Sequence, residues 1–248
     1  MLPVPNPIAL QIGALTIRWY GILMSTALAV GVYLAYREAQ KQKVDPEHIL
    51  NIAITVAPLC FVGARLYYVI FQWPYYYAHP LEIPAVWHGG LAIHGAILTA
   101  IIAGYFYVRH YKLDFWHMAD IIAPSLILGQ AIGRWGNYFN QEAYGSITDL
   151  PWAIYIDGAY RHPTFLYESI WDLGVFLTLI FLRRKDFMKR GEIFLLYLAM
   201  YSLGRVFIEG LRTDSLMLGP LRAAQVISIV FIIAAAAIAT YRRKKSVI

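Results

Sequence analysis

Between Gly133 and Gly145 the chain reads Gly-Arg-Trp-Gly-Asn-Tyr-Phe-Asn-Gln-Glu-Ala-Tyr-Gly. A guanidinium (Arg134), two carboxamides (Asn137 and Asn140) and a carboxylate (Glu142) thus follow the apolar run Phe115 to Ala131, which is oily enough to lie in a bilayer. Polar groups at that depth are costly and usually bind or react with something. Arg134 alone would read as a helix end whose side chain snorkels to the headgroups. Four such groups with three glycines point to a site. Arg205, Glu209 and Arg212 add an i, i+4, i+7 set on one helix face, with an intrahelical salt bridge as the bland reading of the first pair. His94, in Gly-Gly-Leu-Ala-Ile-His-Gly at 89 to 95, has glycines that allow a close approach, and an imidazole suited to holding or moving a proton. A lone histidine is otherwise more often structural.

These types suggest anion chemistry. Several arginines with no acidic cluster make an anion site, and the commonest anion at a membrane surface is a phospholipid headgroup. A guanidinium offers a planar fork of donors matched to phosphate, whereas an ammonium is a hydrated point charge. Paired cysteines, His-Glu-x-x-His and aspartate-rich runs that would hold a metal are missing from the sequence, so no metal and no cofactor is expected. Gly-x-Ser-x-Gly is missing too, which removes support for a serine hydrolase. Cys60, the one cysteine, lies in an apolar run and reads as a small core residue.

The elements that must position these groups follow from composition. With 59% hydrophobic residues, 15% charged residues and a mean hydropathy of +0.52, the chain reads as a polytopic, all-α integral membrane protein. At roughly 20 apolar residues per crossing, 248 residues hold about seven helices in a single domain, 1–248, with short loops. A β-barrel would alternate, and these runs do not. The expected helices are about Leu15 to Tyr36, Ile49 to Phe71, Gly89 to Val108, Phe115 to Trp135, Pro163 to Leu182, Glu192 to Gly210 and Ala223 to Tyr241. A long loop carrying the 133–145 motif follows the fourth. Met1 to Pro7 has three prolines and no basic residue, unlike a cleavable signal peptide, so the first helix is expected to be retained.

Of 21 basic residues, 14 fall at the ends of the first, third, fifth and seventh helices, on one side. By the positive-inside rule that side is cytoplasmic, giving an outside amino terminus and a cytoplasmic carboxyl terminus. The net charge of +6 therefore marks a membrane face rather than a nucleic-acid partner. The other seven basic residues, Arg18, Arg65, Arg134, Arg161, Arg205, Arg212 and Arg222, are all arginine. At about 1.5 Å per residue, His94, Arg65, Glu168, Arg205 and Glu209 come out in the outer half. Asp120, beside His117, lies near the inner end of the fourth helix and reads as a helix-start residue.

The 133–145 block closely resembles the signature of bacterial prolipoprotein diacylglyceryl transferases. Four further blocks resemble the same family in the same order: Arg18-Trp19-Tyr20-Gly21, Gly89 to Gly95, His162-Pro163-Thr164-Phe165-Leu166-Tyr167-Glu168, and Gly204 to Asp214. Departures are Leu91-Ala92-Ile93 before His94, where many members have other small or apolar residues, and a short loop between the sixth and seventh helices. The resemblance implies transfer of a diacylglyceryl group from phosphatidylglycerol to the lipobox cysteine thiol of a prolipoprotein signal peptide in a bacterial cell membrane, forming a thioether and releasing glycerol phosphate. The nucleophile then belongs to the substrate. The resemblance further implies Arg134 and Arg205 as a phosphate clamp and His94 as the first candidate base. Glu209 would orient Arg205, and Arg212 would add positive potential. Tyr20, Asn137, Asn140, Glu142, Gly145, Glu168 and Tyr201 complete the expected substrate contacts. An anionic-lipid transporter or flippase is the main alternative, although no convincing internal repeat supports it. A scaffolding protein would scatter its polar groups in depth.

Overall fold

The computed structural model describes residues 5–13 and 15–245, apart from the side chains of Leu15 and His88. The start of the chain, on which the reading of the amino terminus rests, lies partly outside the described residues. In order come β1 (Ile8–Ile12), β2 (Leu15–Arg18), α1 (Trp19–Lys41), α2 (Glu47–Phe71), the short α3 (Trp73–Ala78), α4 (Ile93–His110) and α5 (Phe115–Asn140). Then follow β3 (Ile154–Ile156), β4 (Ala159–Arg161), α6 (Thr164–Leu182), α7 (Glu192–Glu209), β5 (Met217–Leu218), β6 (Leu221–Arg222) and α8 (Ala223–Lys245).

Among the described residues, five helices (α1, α2, α5, α6 and α8) are long and apolar enough to cross a membrane, as in a multi-pass membrane protein. Their large side chains look outward: Ile54 is 71% and Phe61 65% exposed on α2. In water such surface would be strongly unfavourable, whereas against acyl chains it needs no protein cover. α4 and α7 are shorter, at 18 residues each, and α7 carries Glu192, Arg205 and Glu209.

Four expectations are corrected. The protein is not purely α, because among the described residues three two-stranded hairpins, β1-β2, β3-β4 and β5-β6, occupy the loops. Residues 15–18 pair with β1 instead of opening the first helix, as Ile8↔Arg18 and Gln11↔Thr16 in antiparallel register. The third helix begins at Ile93, after two 3-10 turns and two glycines at positive φ (Gly89 and Gly90), so His94 lies in its first turn. The fourth helix continues to Asn140, which puts Arg134, Asn137 and Asn140 on helix rather than loop. Gly133 and Gly136 do not break it, because the space above them is filled. A Cβ on Gly136 would lie 2.5 Å from the Tyr20 ring, and one on Gly133 3.4 Å from the Met24 sulfur.

The chain forms two compact units, one made of residues up to 35 and from 119 onward, the other of Tyr36–Met118. In the first, Ala123 and Ile127 of α5, Val175 and Leu179 of α6, and Ile193 and Tyr197 of α7 make the core. Trp171 lies over Gly204 and its indole N–H donates to Met200 O at 2.9 Å, so α6 and α7 approach closely. Asp120 proves not to be a cap of its own helix. It accepts from the backbone N–H groups of Gly191 (2.5 Å) and Phe194 (2.9 Å), at the start of α7.

In the second unit α2 packs on α4 through small residues. A Cβ on Gly95 would come within 2.4 Å of Gly63 O. Arg65, 6% exposed, donates to the carbonyls of Glu82, Ile83, Gly89 and Gly90 at 2.6–3.0 Å and lies over the Tyr76 ring. It staples the loop before α4, and none of those bonds points to a ligand.

Candidate active site

Three helices bring charge to one place in the first unit. α5 supplies Arg134 in its last two turns, α6 supplies Glu168 in its second turn, and α7 supplies Tyr201, Arg205 and Glu209 toward its end. Local packing sets their register. Ser169 donates to Ala131 O at 2.9 Å and accepts from the Trp135 indole at 3.1 Å, pinning α6 to α5 beside Glu168. Trp171 on Gly204 does the same between α6 and α7 beside Arg205.

Glu168 is the hub. Arg134 Nε pairs with its Oε2, and Arg205 Nη1 donates to its Oε1 at 2.6 Å, with Arg212 Nη1 3.6 Å from the same oxygen. Arg205 Nη2 lies 2.8 Å from Glu209 Oε2, and Arg212 Nε 4.0 Å from that atom. Arg134 Nη2 donates to the Tyr201 hydroxyl at 3.4 Å. The arginines expected without an acidic cluster are therefore already paired with carboxylates. The cations nonetheless lie further out: the Arg134, Arg205 and Arg212 side chains are 20%, 18% and 12% exposed, against 6% and 3% for Glu168 and Glu209. The guanidiniums are thus held by less exposed carboxylates through charge-assisted bonds.

The neighbouring groups form a second layer. Asn137 and Asn140 both donate to Glu142 Oε1, at 3.0 and 3.2 Å, at the end of α5. The Tyr20 ring packs on Gly136, within electrostatic reach of Glu142 and Arg134. Gly145 pairs with Arg212 in an antiparallel bridge, Ser146 N–H donates to Leu211 O at 2.8 Å, and Thr164 Oγ1 donates to Ala143 O. A Cβ on Gly145 would strike the His162 Cβ at 2.7 Å, so only glycine fits this crossing. Arg212 is further held by Asp214 through two bonds of 2.9 and 2.7 Å, and that hydrogen-bonded guanidinium keeps the Asp214 carboxyl below the usual carboxylate range.

A family model for prolipoprotein diacylglyceryl transferases matches residues 7–241. The chain belongs to that family. Among relatives named phosphatidylglycerol--prolipoprotein diacylglyceryl transferase, that of Thermosynechococcus vestitus is 50% identical, covering 90% of this chain and 87% of its own. The Bacillus licheniformis protein is 49% identical over 97% and 93%, and that of Listeria monocytogenes 46% over 97% and 91%.

Within this prolipoprotein diacylglyceryl transferase family member, most of the expected site residues gather as described. His94 belongs to the other unit, exposed at the start of α4, with its ring 6.1 Å from that of Tyr67. Of the seven arginines set apart by the charge count, Arg134, Arg205 and Arg212 converge. Arg161 instead lies over the Tyr144 ring and pairs with Asp157, and Arg222 donates to Arg212 O at 2.8 Å. Two acids went unassigned in the sequence. Asp214 lies in a block noted for other residues. Asp172, 2% exposed with its Oδ2 lacking a hydrogen-bond partner among the described residues, stands one turn beyond Glu168. The i, i+4 pair of acids in an apolar helix was the available signal for it.

Proposed function

We propose that the protein transfers the diacylglyceryl group of phosphatidylglycerol to the lipobox cysteine thiol of prolipoprotein signal peptides, in the outer half of a bacterial cytoplasmic membrane. The observation that carries this reading is the convergence of Arg134, Arg205 and Arg212 on Glu168 and Glu209 at one end of α5, α6 and α7. In the reaction the cysteine sulfur forms a bond to the glycerol carbon, the bond from that carbon to the phosphate oxygen breaks, and glycerol phosphate leaves with the electron pair. The thiol gives up its proton, and the leaving phosphate gains negative charge. Both changes call for a base and a cationic clamp. Arg134 and Arg205 are the clamp, oriented by Glu168 and Glu209, and His94 is the base. Arg212 supplies positive potential at the mouth. Tyr20, Asn137, Asn140, Glu142 and Tyr201 hydrogen-bond the headgroup, while Gly145 fixes the loop that carries Arg212. No metal or cofactor is required.

We further propose seven membrane crossings in a single domain, with α4 and α7 as the two less apolar spans, the amino terminus outside and the carboxyl terminus cytoplasmic. The distribution of basic residues supports this orientation. The test is incubation of the purified protein with phosphatidylglycerol and a lipobox peptide, followed by mass spectrometry. The reading requires a mass gain of one diacylglyceryl group that disappears when the peptide cysteine is changed to serine. An unmodified cysteine peptide with well-folded protein overturns it.

A further inference from the structure

The proposed transfer leaves Asp172 without a task. Its side chain, on α6, is 2% exposed, and Oδ2 is buried with no hydrogen-bond partner among the described residues. A buried carboxyl oxygen without a donor is costly, so its retention calls for an explanation. Asp172 stands one turn beyond Glu168 on the same helix, about 6 Å deeper at 1.5 Å per residue. Past it the helix turns apolar, with Val175 and Leu179 packed on Ala123 and Ile127 of α5 and on Ile193 and Tyr197 of α7. The carboxyl therefore lies between the arginine cluster and that core.

The charged and titratable groups around it come from three helices. α5 brings Arg134 within electrostatic reach, α6 brings Glu168, and α7 brings Arg205 and Tyr197. None of them bonds Oδ2. Arg134 is held by Glu168 and donates to the Tyr201 hydroxyl, Arg205 is held by Glu168 and Glu209, and the Tyr197 hydroxyl donates to Gln130 Oε1 at 3.4 Å.

Counting charges gives Asp172 a role. Arg134, Arg205 and Arg212 are matched in number by their partners Glu168, Glu209 and Asp214. An ionised Asp172 is a fourth acid beside three guanidiniums, and a lipid phosphate entering the cluster brings one more negative charge to the same water-poor place. Like charges held together disfavour each other's ionised forms. Glu168 and Glu209 are engaged with guanidiniums, and a phosphodiester keeps its charge at any ordinary pH, so Asp172 is the group that can give way. We propose that Asp172 makes lipid binding proton-linked: its carboxylate takes up one proton from solvent as the phosphate of phosphatidylglycerol enters the cluster, and releases it when glycerol phosphate has left. The charge of the buried site is then the same empty and filled. This rests on the reading of the cluster as a phosphatidylglycerol site.

The test is calorimetric titration of phosphatidylglycerol into the purified full-length protein in detergent, without peptide, in two buffers of different ionisation enthalpy. Wild type should take up close to one proton per lipid bound, and its Kd should rise with pH by up to about tenfold per pH unit. Asp172→Asn should bind the lipid with no proton uptake and a Kd that stays flat, which a merely structural loss would not produce. Diacylglycerol, lacking the phosphate, should cause no uptake in wild type. Asp172→Glu keeps the carboxyl but moves it, so it should keep the slope and shift the pH at which the slope begins. That variant decides the matter if Asp172→Asn does not fold, and an unshifted curve overturns the assignment. Lipid binding by wild type without proton uptake overturns the proposal, as does a slope that survives in Asp172→Asn, which would put the proton on another acid. Absence of phosphatidylglycerol binding at every pH overturns the reading of the cluster itself, and the proposal with it.

Discussion

Glu168 sets the behaviour of the residues around it. One buried carboxylate spans two guanidiniums, one on each oxygen, so removing its charge leaves Arg134 and Arg205 close together without compensation. Breaking a buried pair in this way costs about 3–5 kcal/mol. Glu168→Gln should therefore lower the unfolding midpoint of the purified protein well beyond the effect of Asn140→Ala at an exposed position, as thermal unfolding in detergent will show. Arg134→Lys and Arg205→Lys test the clamp instead. An ammonium retains the charge but loses the fork, and losing a preorganised transition-state donor lowers turnover about 100- to 1000-fold. Lipidation rates within tenfold of wild type in both variants would remove these arginines from the chemistry. Asp214 gives a pH signature outside the membrane-spanning helices. Because Arg212 holds its carboxyl below the usual range, the pair contributes stability that is present above that range and is lost as pH falls through the lowered value. Hydrogen exchange of the 211–216 backbone should accelerate in acid for wild type, while Asp214→Asn should exchange fast at neutral pH too.

Among the elements, the middle of each long helix was legible because continuous apolar runs leave few alternatives. The ends were not. The run of the fourth helix stops at Trp135, yet its hydrogen bonds continue to Asn140, since Gly133 and Gly136 are filled by Met24 and Tyr20 from α1 instead of breaking the helix. Only a partner element can turn a helical glycine into a packing surface, and no local pattern announces that partner. The start of the third helix was misread for the opposite reason: Gly89 and Gly90 sit in a run that looks helical but take positive φ under the Arg65 staple. In the candidate site, residue types and their common end of the bundle were legible from periodicity. The pairing of each arginine with an acid was not, because Glu168 stands 34 residues from Arg134 and 37 from Arg205. Gly204 links element to site. A Cβ there would lie 2.3 Å from the Trp171 ring, so Gly204→Ala must push α7 off α6. Overpacking of this kind costs about 1–3 kcal/mol. The variant should be less stable and, with Arg205 drawn away from Glu168, should lose transfer activity that Gly174→Ala, with open space at its Cβ, retains.

For the whole molecule the consequence to test is orientation. The arginine cluster sits at the end of α7 reached by Glu209, and a group of basic residues, Lys189, Arg190, Arg242, Arg243 and Lys245, gathers at the end that begins with Glu192. They differ in composition. The basic residues of the first are all arginine, while the second mixes lysine and arginine, as cytoplasmic loops do. If the second faces the cytoplasm, the first must open outward, where the proposed substrate, a signal peptide that has crossed the membrane, would present its cysteine. Single cysteines at Ser146, beside the arginine cluster, and at Lys245, at the end of α8, report the two faces in a Cys60→Ala background. That background should be fully active, because the proposed reaction uses the substrate's thiol. A membrane-impermeant thiol reagent applied to intact spheroplasts should label position 146 and spare 245 until the membrane is opened. Labelling of 245 alone would invert the protein and place the arginine cluster on the cytoplasmic side, where an outer-leaflet reaction is impossible. An inactive but folded Cys60→Ala protein would instead move the nucleophile onto the enzyme.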